Sequence, residues 1–180
     1  LLNIVYIYID VRQYKAAEEL MDQILENFPD AGPRVMLKRM LIAVRLEDLD
    51  YLENHLEEIN RHDLGAEELS ELDNCRAYFL ESTGRYEEAI ELLEKCVQYE
   101  TSHQKAFQTH LGLCYAETGR MEEAISLHQK LLGKHPDFME GRYNLAFLQF
   151  KNGDLQDGYE NFEARWLWRE FPSKRRQFDA

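Results

Sequence analysis

Residues 105–138 read KAFQTHLGLCYAETGRMEEAISLHQKLLGKHPDF, and this stretch decides the fold. Apolar residues recur at helical spacing on both sides of Thr118-Gly119-Arg120, and Pro136 closes the second run. The pattern predicts two antiparallel helices joined by a tight turn. Gly112 and Ala124 are expected to face each other across this hairpin, where small side chains let the backbones approach. Leu111, Tyr115 and Leu131 fill the space around that contact, and Gly119 supplies the unusual backbone angles of the turn. One hairpin cannot bury its apolar faces alone, so copies must flank it.

Copies do flank it. Residues 70–104 repeat the pattern with Ala77, Gly84, Tyr86, Ala89, Leu93 and Cys96 in matching places, and residues 139–171 with Leu145, Ala146, Gly153, Leu155, Gly158 and Phe162. Residues 1–30 fit a unit without its first three positions, in which Val5 faces Ala17 and Tyr14, Met21, Ile24 and Pro29 follow. There Arg12 stands where the turn glycine belongs, which predicts a longer or tighter turn. Residues 31–69 are the irregular copy. Leu49, Leu52, Leu56 and Ile59 mark its second helix, whereas the apolar residues of its first helix, about 34–45, leave the register open. Helices are therefore predicted at 1–10, 13–27, 33–45, 47–60, 66–82, 86–99, 103–117, 121–133, 138–151 and 155–168. Leu1–Ile9 suits a strand on propensity alone, but the repeat context makes it a helix buried between neighbours.

This pattern resembles the tetratricopeptide repeat over essentially the whole chain, most clearly over residues 70–171. The resemblance implies an all-α fold, a right-handed α-solenoid of about five helix hairpins. Its units fall at 1–30, 31–69, 70–104, 105–138 and 139–171, with a basic tail or linker at 172–180. It also implies a concave groove, lined by the first helix of each unit, that holds extended peptides. The run Gly153–Trp166 resembles the last repeat of bacterial proteins in which such repeats precede a glycosyltransferase-like domain, although Tyr159 stands where Trp is usual there. That likeness implies a module that recruits an acceptor for a domain beyond Ala180. A chain that begins without Met reads as part of a longer protein.

Composition narrows the function. The net charge of −13 lies wholly in residues 47–100, which carry 17 acids and 4 bases. Such a balance disfavours nucleic acid as the partner and fits a solvated acidic face. No apolar run spans a bilayer, and Leu1–Ile9 lacks the basic flank of a secretory signal, so no membrane role is expected. Three cysteines without metal or disulfide spacing point to a reducing cytoplasm. The six histidines include no helical metal pair, and no phosphate loop or nucleophile elbow is present. Neither an enzyme nor a cofactor is expected.

By the family's geometry the groove would present Asn3 and Tyr6, then Glu71, Asn74, Cys75 and Tyr78. Thr109, His110 and Leu113 would follow, and then Tyr143, Asn144, Phe147 and Phe150. Asparagine at the sixth position resembles the backbone-clamping ladder of O-GlcNAc transferase repeats, since an amide pairs with any peptide bond. Asn3 and Asn144 match it, while Cys75 and His110 interrupt it; Asn144 bonding a neighbouring helix is the equal alternative. An aromatic groove favours apolar or mixed peptides. Arg165, Arg169, Lys174, Arg175 and Arg176 suit a solvated linker, and their charge also allows packing against the acidic middle of another molecule.

The last helix carries Leu155, Tyr159, Phe162 and Trp166 on the face that should meet a following unit. Those side chains predict an interface, covered by the tail around Trp168 and Phe171, by a second molecule in a homodimer, or by a further domain. The expected function is thus a protein–protein interaction module. The alternative is a structural module for self-association without peptide binding.

Overall fold

The computed structural model of the chain describes residues 1–98 and 101–167. The described residues form ten α-helices in hairpins, so the all-α expectation holds. They divide into two compact units, residues 1–104 and residues from Lys105 on.

The first unit holds α1 (Leu2–Asp10), α2 (Tyr14–Asn27), α3 (Pro33–Leu46), α4 (Leu49–His55), α5 (Ala66–Ser82) and α6 (Tyr86–Cys96). The second is built from α7 (Gln104–Glu117), α8 (Met121–Lys134), α9 (Met139–Asn152) and α10 (Leu155–Glu163). The apolar N-terminal stretch is the helix α1, not a strand, but it is not buried between neighbours: Val5 is fully buried against Ala17, Met21 and Ile24 of α2, while Leu1, Ile4, Tyr6 and Ile7 are exposed.

One turn design recurs in all five hairpins. A residue with left-handed backbone angles ends the first helix, at Arg12 (φ 60°), Glu47 (57°), Gly84 (73°), Gly119 (83°) and Gly153 (90°). The next N–H then donates to a carbonyl five residues back: Gln13 to Tyr8, Asp48 to Ala43, Arg85 to Leu80, Arg120 to Tyr115 and Asp154 to Gln149, at 2.8–2.9 Å. This is the Schellman arrangement, which satisfies carbonyls that a helix end otherwise leaves unpaired. The altered turn expected at Arg12 is therefore not found. Arg12 accepts the strained angle because the two hydrogen bonds of the motif offset it, and Glu47 does the same in the irregular repeat. Glu47 also fixes that repeat's open register, placing Lys38 at its sixth position and Arg39 at its seventh.

Two helices are shorter than expected. The helix predicted at 47–60 is regular only over Leu49–His55. Beyond it the Leu56 carbonyl accepts from Arg76 Nη2 at 3.4 Å, and Ile59 and Leu64 turn into the core beside Leu52 and Leu72. A 3₁₀ turn at Arg61–Asp63 follows, where Arg61 grips both oxygens of Asp73 at 2.5 and 3.0 Å. The helix predicted at 155–168 is α-helical to Glu163 and 3₁₀ over Ala164–Leu167. There Arg165 Nη1 donates to the Phe162 carbonyl at 3.0 Å.

Ala124 and Ala89 are fully buried, as small contact residues should be. The side chain nearest to Gly112 belongs to His128. A β-carbon built on Gly112 would run into the imidazole of His128, one helical turn further along α8. Gly158 repeats the design with a different neighbour, since its β-carbon would lie 2.5 Å from Cδ1 of Phe150. Large side chains rather than small ones thus occupy the space that these glycines leave.

Candidate interaction surfaces

In the first unit the predicted groove residues differ in exposure. Tyr6 is 43% exposed, and Asn3 lines an open apolar depression of about 510 Å3 with Leu1, Leu2, Phe28 and Val35. Tyr78 packs against the core around Leu37 and Leu72. Asn74 is half-buried, and its Oδ1 is sealed from solvent without a hydrogen-bond partner. Cys75 is fully buried, and burial pushes its thiol up to about 12. The sixth positions of this unit therefore read Asn3, Lys38 and Cys75, with the last withdrawn into the core.

Charges dominate instead between α3 and α5. Lys38 Nζ donates to both oxygens of Glu71 at 2.7 and 2.6 Å, and Arg34 Nε pairs with Glu68 at 2.7 Å. Sequence reasoning missed Arg34 and Lys38 because the irregular repeat hides its register. Only the left-handed Glu47 reveals it, and no residue type announces a left-handed glutamate.

In the second unit, Thr109 is buried and its hydroxyl donates to the Lys105 carbonyl of its own helix at 2.9 Å. His110 and Asn144 are half-buried. Tyr143, Phe147 and Phe150 lie on α9, and the structure joins them to the residues expected at the chain's end. Phe162 of α10 stacks on Tyr143 at 5.6 Å and meets Phe147 and Phe150 edge-on at 5.9 Å each. Tyr159 meets Phe150 at 5.0 Å, and Tyr143 meets Phe147 at 4.8 Å. The groove and the end face are thus one aromatic cluster. Edge-to-face and offset contacts of this kind suit the ring quadrupoles and hold the side chains rigidly.

Arg165 is part of the same cluster. Its guanidinium lies 3.8 Å from the Phe162 ring centre and 4.2 Å from that of Trp166, and it also pairs with Glu163. The cation attributed to a linker is held over two rings, a placement worth about 0.5–2 kcal/mol. Within this surface Phe147 remains 49% exposed, Tyr159 62% and Leu155 57%, while Phe162 and Trp166 are half-buried. Trp168, Phe171 and the basic residues at 169–176 lie outside the described residues.

Among the described residues no group of three His, Cys, Asp or Glu side chains could hold a metal ion, and no helix is long and apolar enough to cross a membrane. His128 is a buried titratable group of the second unit, enclosed at 0% exposure with Nε2 unpartnered.

The turns and hairpins define an all-helical repeat fold. Residues 80–137 match the tetratricopeptide-repeat family. Residues 41 to the end of MamA from Desulfovibrio magneticus RS-1 superpose with a TM-score of 0.66 at 17% identity, over 95% of this chain and 94% of that one. PilW, described as a widely conserved type IV pilus biogenesis factor, gives 0.71 at 20% identity over 90% and 73%. YrrB, described as a TPR protein with an unusual peptide-binding site, gives 0.58 at 17% identity over 90% and 81%. These likenesses establish the fold. No curated protein matches the chain.

Proposed function

We propose that this chain is a protein-interaction module whose docking surface is the aromatic cluster of α9 and α10. The observation that carries the reading is the exposure of Phe147 and Tyr159 inside a contiguous set of ring contacts. Rigid, half-exposed aromatics offer large contact area at small entropic cost, as interface anchors do. A partner segment with apolar side chains fits them. The fold of an interaction scaffold and the peptide-binding site named for YrrB agree with this reading. In this reading Asn144, which follows Tyr143 on α9 and is half-buried, would bond a peptide backbone alongside the rings. Recruitment of an acceptor for a glycosyltransferase-like domain rests on the likeness of Gly153–Trp166 alone.

A peptide array probed with the wild type and with Phe147→Glu tests the reading. Apolar-containing peptides should bind the wild type and be lost on the variant, with helicity unchanged. Equal binding by both proteins removes the aromatic cluster as the docking surface.

Self-association is the second reading, favoured by the exposure of Leu155 and Tyr159 on the outer side of α10. Light scattering on the wild type and on Tyr159→Glu separates the two. A dimer that becomes a monomer supports self-association, and a monomer in both cases supports a separate partner.

A further inference from the structure

A groove in the first unit forms a second surface of different chemistry. It runs between α4 and α6 over α5 and encloses about 440 Å3. α4 stops at His55, and Leu56 and Glu57 just beyond it line one side of the groove. Its floor is apolar, made by Leu56, Phe79, Leu80 and Leu92, and its rim is charged.

The rim charges are unequally satisfied. Glu57 pairs with Arg76 at 3.0 Å, and Glu88 with Arg85 at 2.6 Å. Glu53 and Glu91 face the same space without a hydrogen bond or ion pair among the described residues, although the field of Arg85 reaches Glu53. Lys95 on the α6 side keeps the lining itself near neutral. The pull on a ligand therefore comes from these two carboxylates together with the surrounding residues 47–100, which hold the chain's entire excess of −13.

We propose that this groove docks a basic segment of a partner protein, with one apolar side chain on the Leu56–Phe79–Leu80 floor flanked by Lys or Arg side chains reaching Glu53 and Glu91. An acidic segment would meet the same field as repulsion. A small cation would leave the apolar floor unused. The site is distinct from the aromatic cluster in place and in chemistry, so the two readings stand or fall separately.

The test uses the full chain and two labelled synthetic peptides, one alternating Lys and Leu, the other alternating Glu and Leu, read by fluorescence anisotropy. The Lys–Leu peptide should bind at low salt, weaken strongly at about 1 M salt, where the screening length is ~3 Å, and the Glu–Leu peptide should not bind. Replacing both Glu53→Gln and Glu91→Gln should weaken the Lys–Leu peptide about tenfold. The same charge removed at exposed Glu19 and Glu26 should change it less than about twofold. Equal loss in the two double variants, or no binding at low salt, overturns the proposal. Hydrogen exchange then locates the peptide. Protection should fall on residues 53–57 and 85–95; protection on α9 and α10 instead overturns it. Protection of the groove that grows with protein concentration in the absence of peptide places a second copy there and also overturns it.

Discussion

The imidazole of His128 occupies the place where Gly112 would carry a side chain, so that a β-carbon there would overlap Cε1 and Nδ1 of the ring. The two helices of this hairpin approach closely because one residue gives up its side chain and the other fills the gap. Gly112→Ala should therefore overpack the contact and cost about 1–3 kcal/mol. Removing the ring as well, in Gly112→Ala with His128→Ala, should cost less than the sum of the two single changes, because neighbours sharing one space do not act additively. Urea unfolding of the four proteins measures this coupling. Additive losses would mean that the two residues do not share the site.

The same pair makes stability depend on pH. Nδ1–H of His128 donates to the Ala124 carbonyl at 3.1 Å, which leaves Nε2 as an unpaired acceptor inside the hairpin. Loss of water around the charged ring pushes its pKa below 6.5, against the smaller upward pull of the bond to Ala124. The unfolded chain takes up a proton near 6.5 and the folded one resists it. Stability should thus fall as pH drops below 6.5 and level off once the folded state also binds the proton. His128→Gln should flatten this part of the profile. A wild type and variant with parallel profiles between about pH 7 and 5 would show that another group governs it.

The turns give a third expectation with two signs. Gly119 sits at φ 83° and Glu47 at 57°, equivalent places in two hairpins. Gly119→Ala imposes a left-handed angle on a residue with a side chain and should cost about 1–2 kcal/mol. Glu47→Gly relieves that strain but loosens the unfolded chain, so a gain of at most about 1 kcal/mol remains. Thermal melts of both variants check the pair. A Glu47→Gly protein that melts well below the wild type would mean that the glutamate side chain, not the turn angle, holds that position.

These residues also show what could be read from sequence. Gly84, Gly119 and Gly153 declared the hairpins because glycine accepts positive φ at no steric cost, and the copies around them followed. Arg12 and Glu47 adopt the same angle because the two hydrogen bonds of the turn offset its strain, which no residue propensity records, so one turn was expected to differ and one register stayed open. The resemblance to the tetratricopeptide repeat assigns Tyr143, Phe147 and Phe150 to a groove and Tyr159 and Phe162 to an end face. Their union depends on Phe150 reaching over Gly158, a packing fact rather than a spacing. Likewise Arg165 reads as one more linker cation until its guanidinium is placed over Phe162.

The irregular repeat departs from the pattern most at Arg39, which leads to the last prediction. Its side chain is 4% exposed at the position held by Leu111 and Leu145 in the regular repeats. The guanidinium lies 2.6 Å from Asp22, 3.0 Å from Glu18 and 3.6 Å from Asp48, and 3.9 Å from the ring centre of Tyr51. Burial pushes the Tyr51 hydroxyl up to about 12, against the downward pull of Arg39. One cation thus holds together three carboxylates on α2 and at the start of α4, and Arg39→Met would leave them facing one another. The loss should be about 3 kcal/mol, the lower end for a broken buried pair, since Asp22 is 45% exposed and can rehydrate. Asp22→Asn should cost under about 1 kcal/mol, because Glu18 and Asp48 still neutralise the arginine. Urea unfolding of the wild type and the two variants at neutral pH tests both statements. Losses of equal size in Arg39→Met and Asp22→Asn would mean that the single contact with Asp22, rather than the shared neutralisation of three carboxylates, explains the cost.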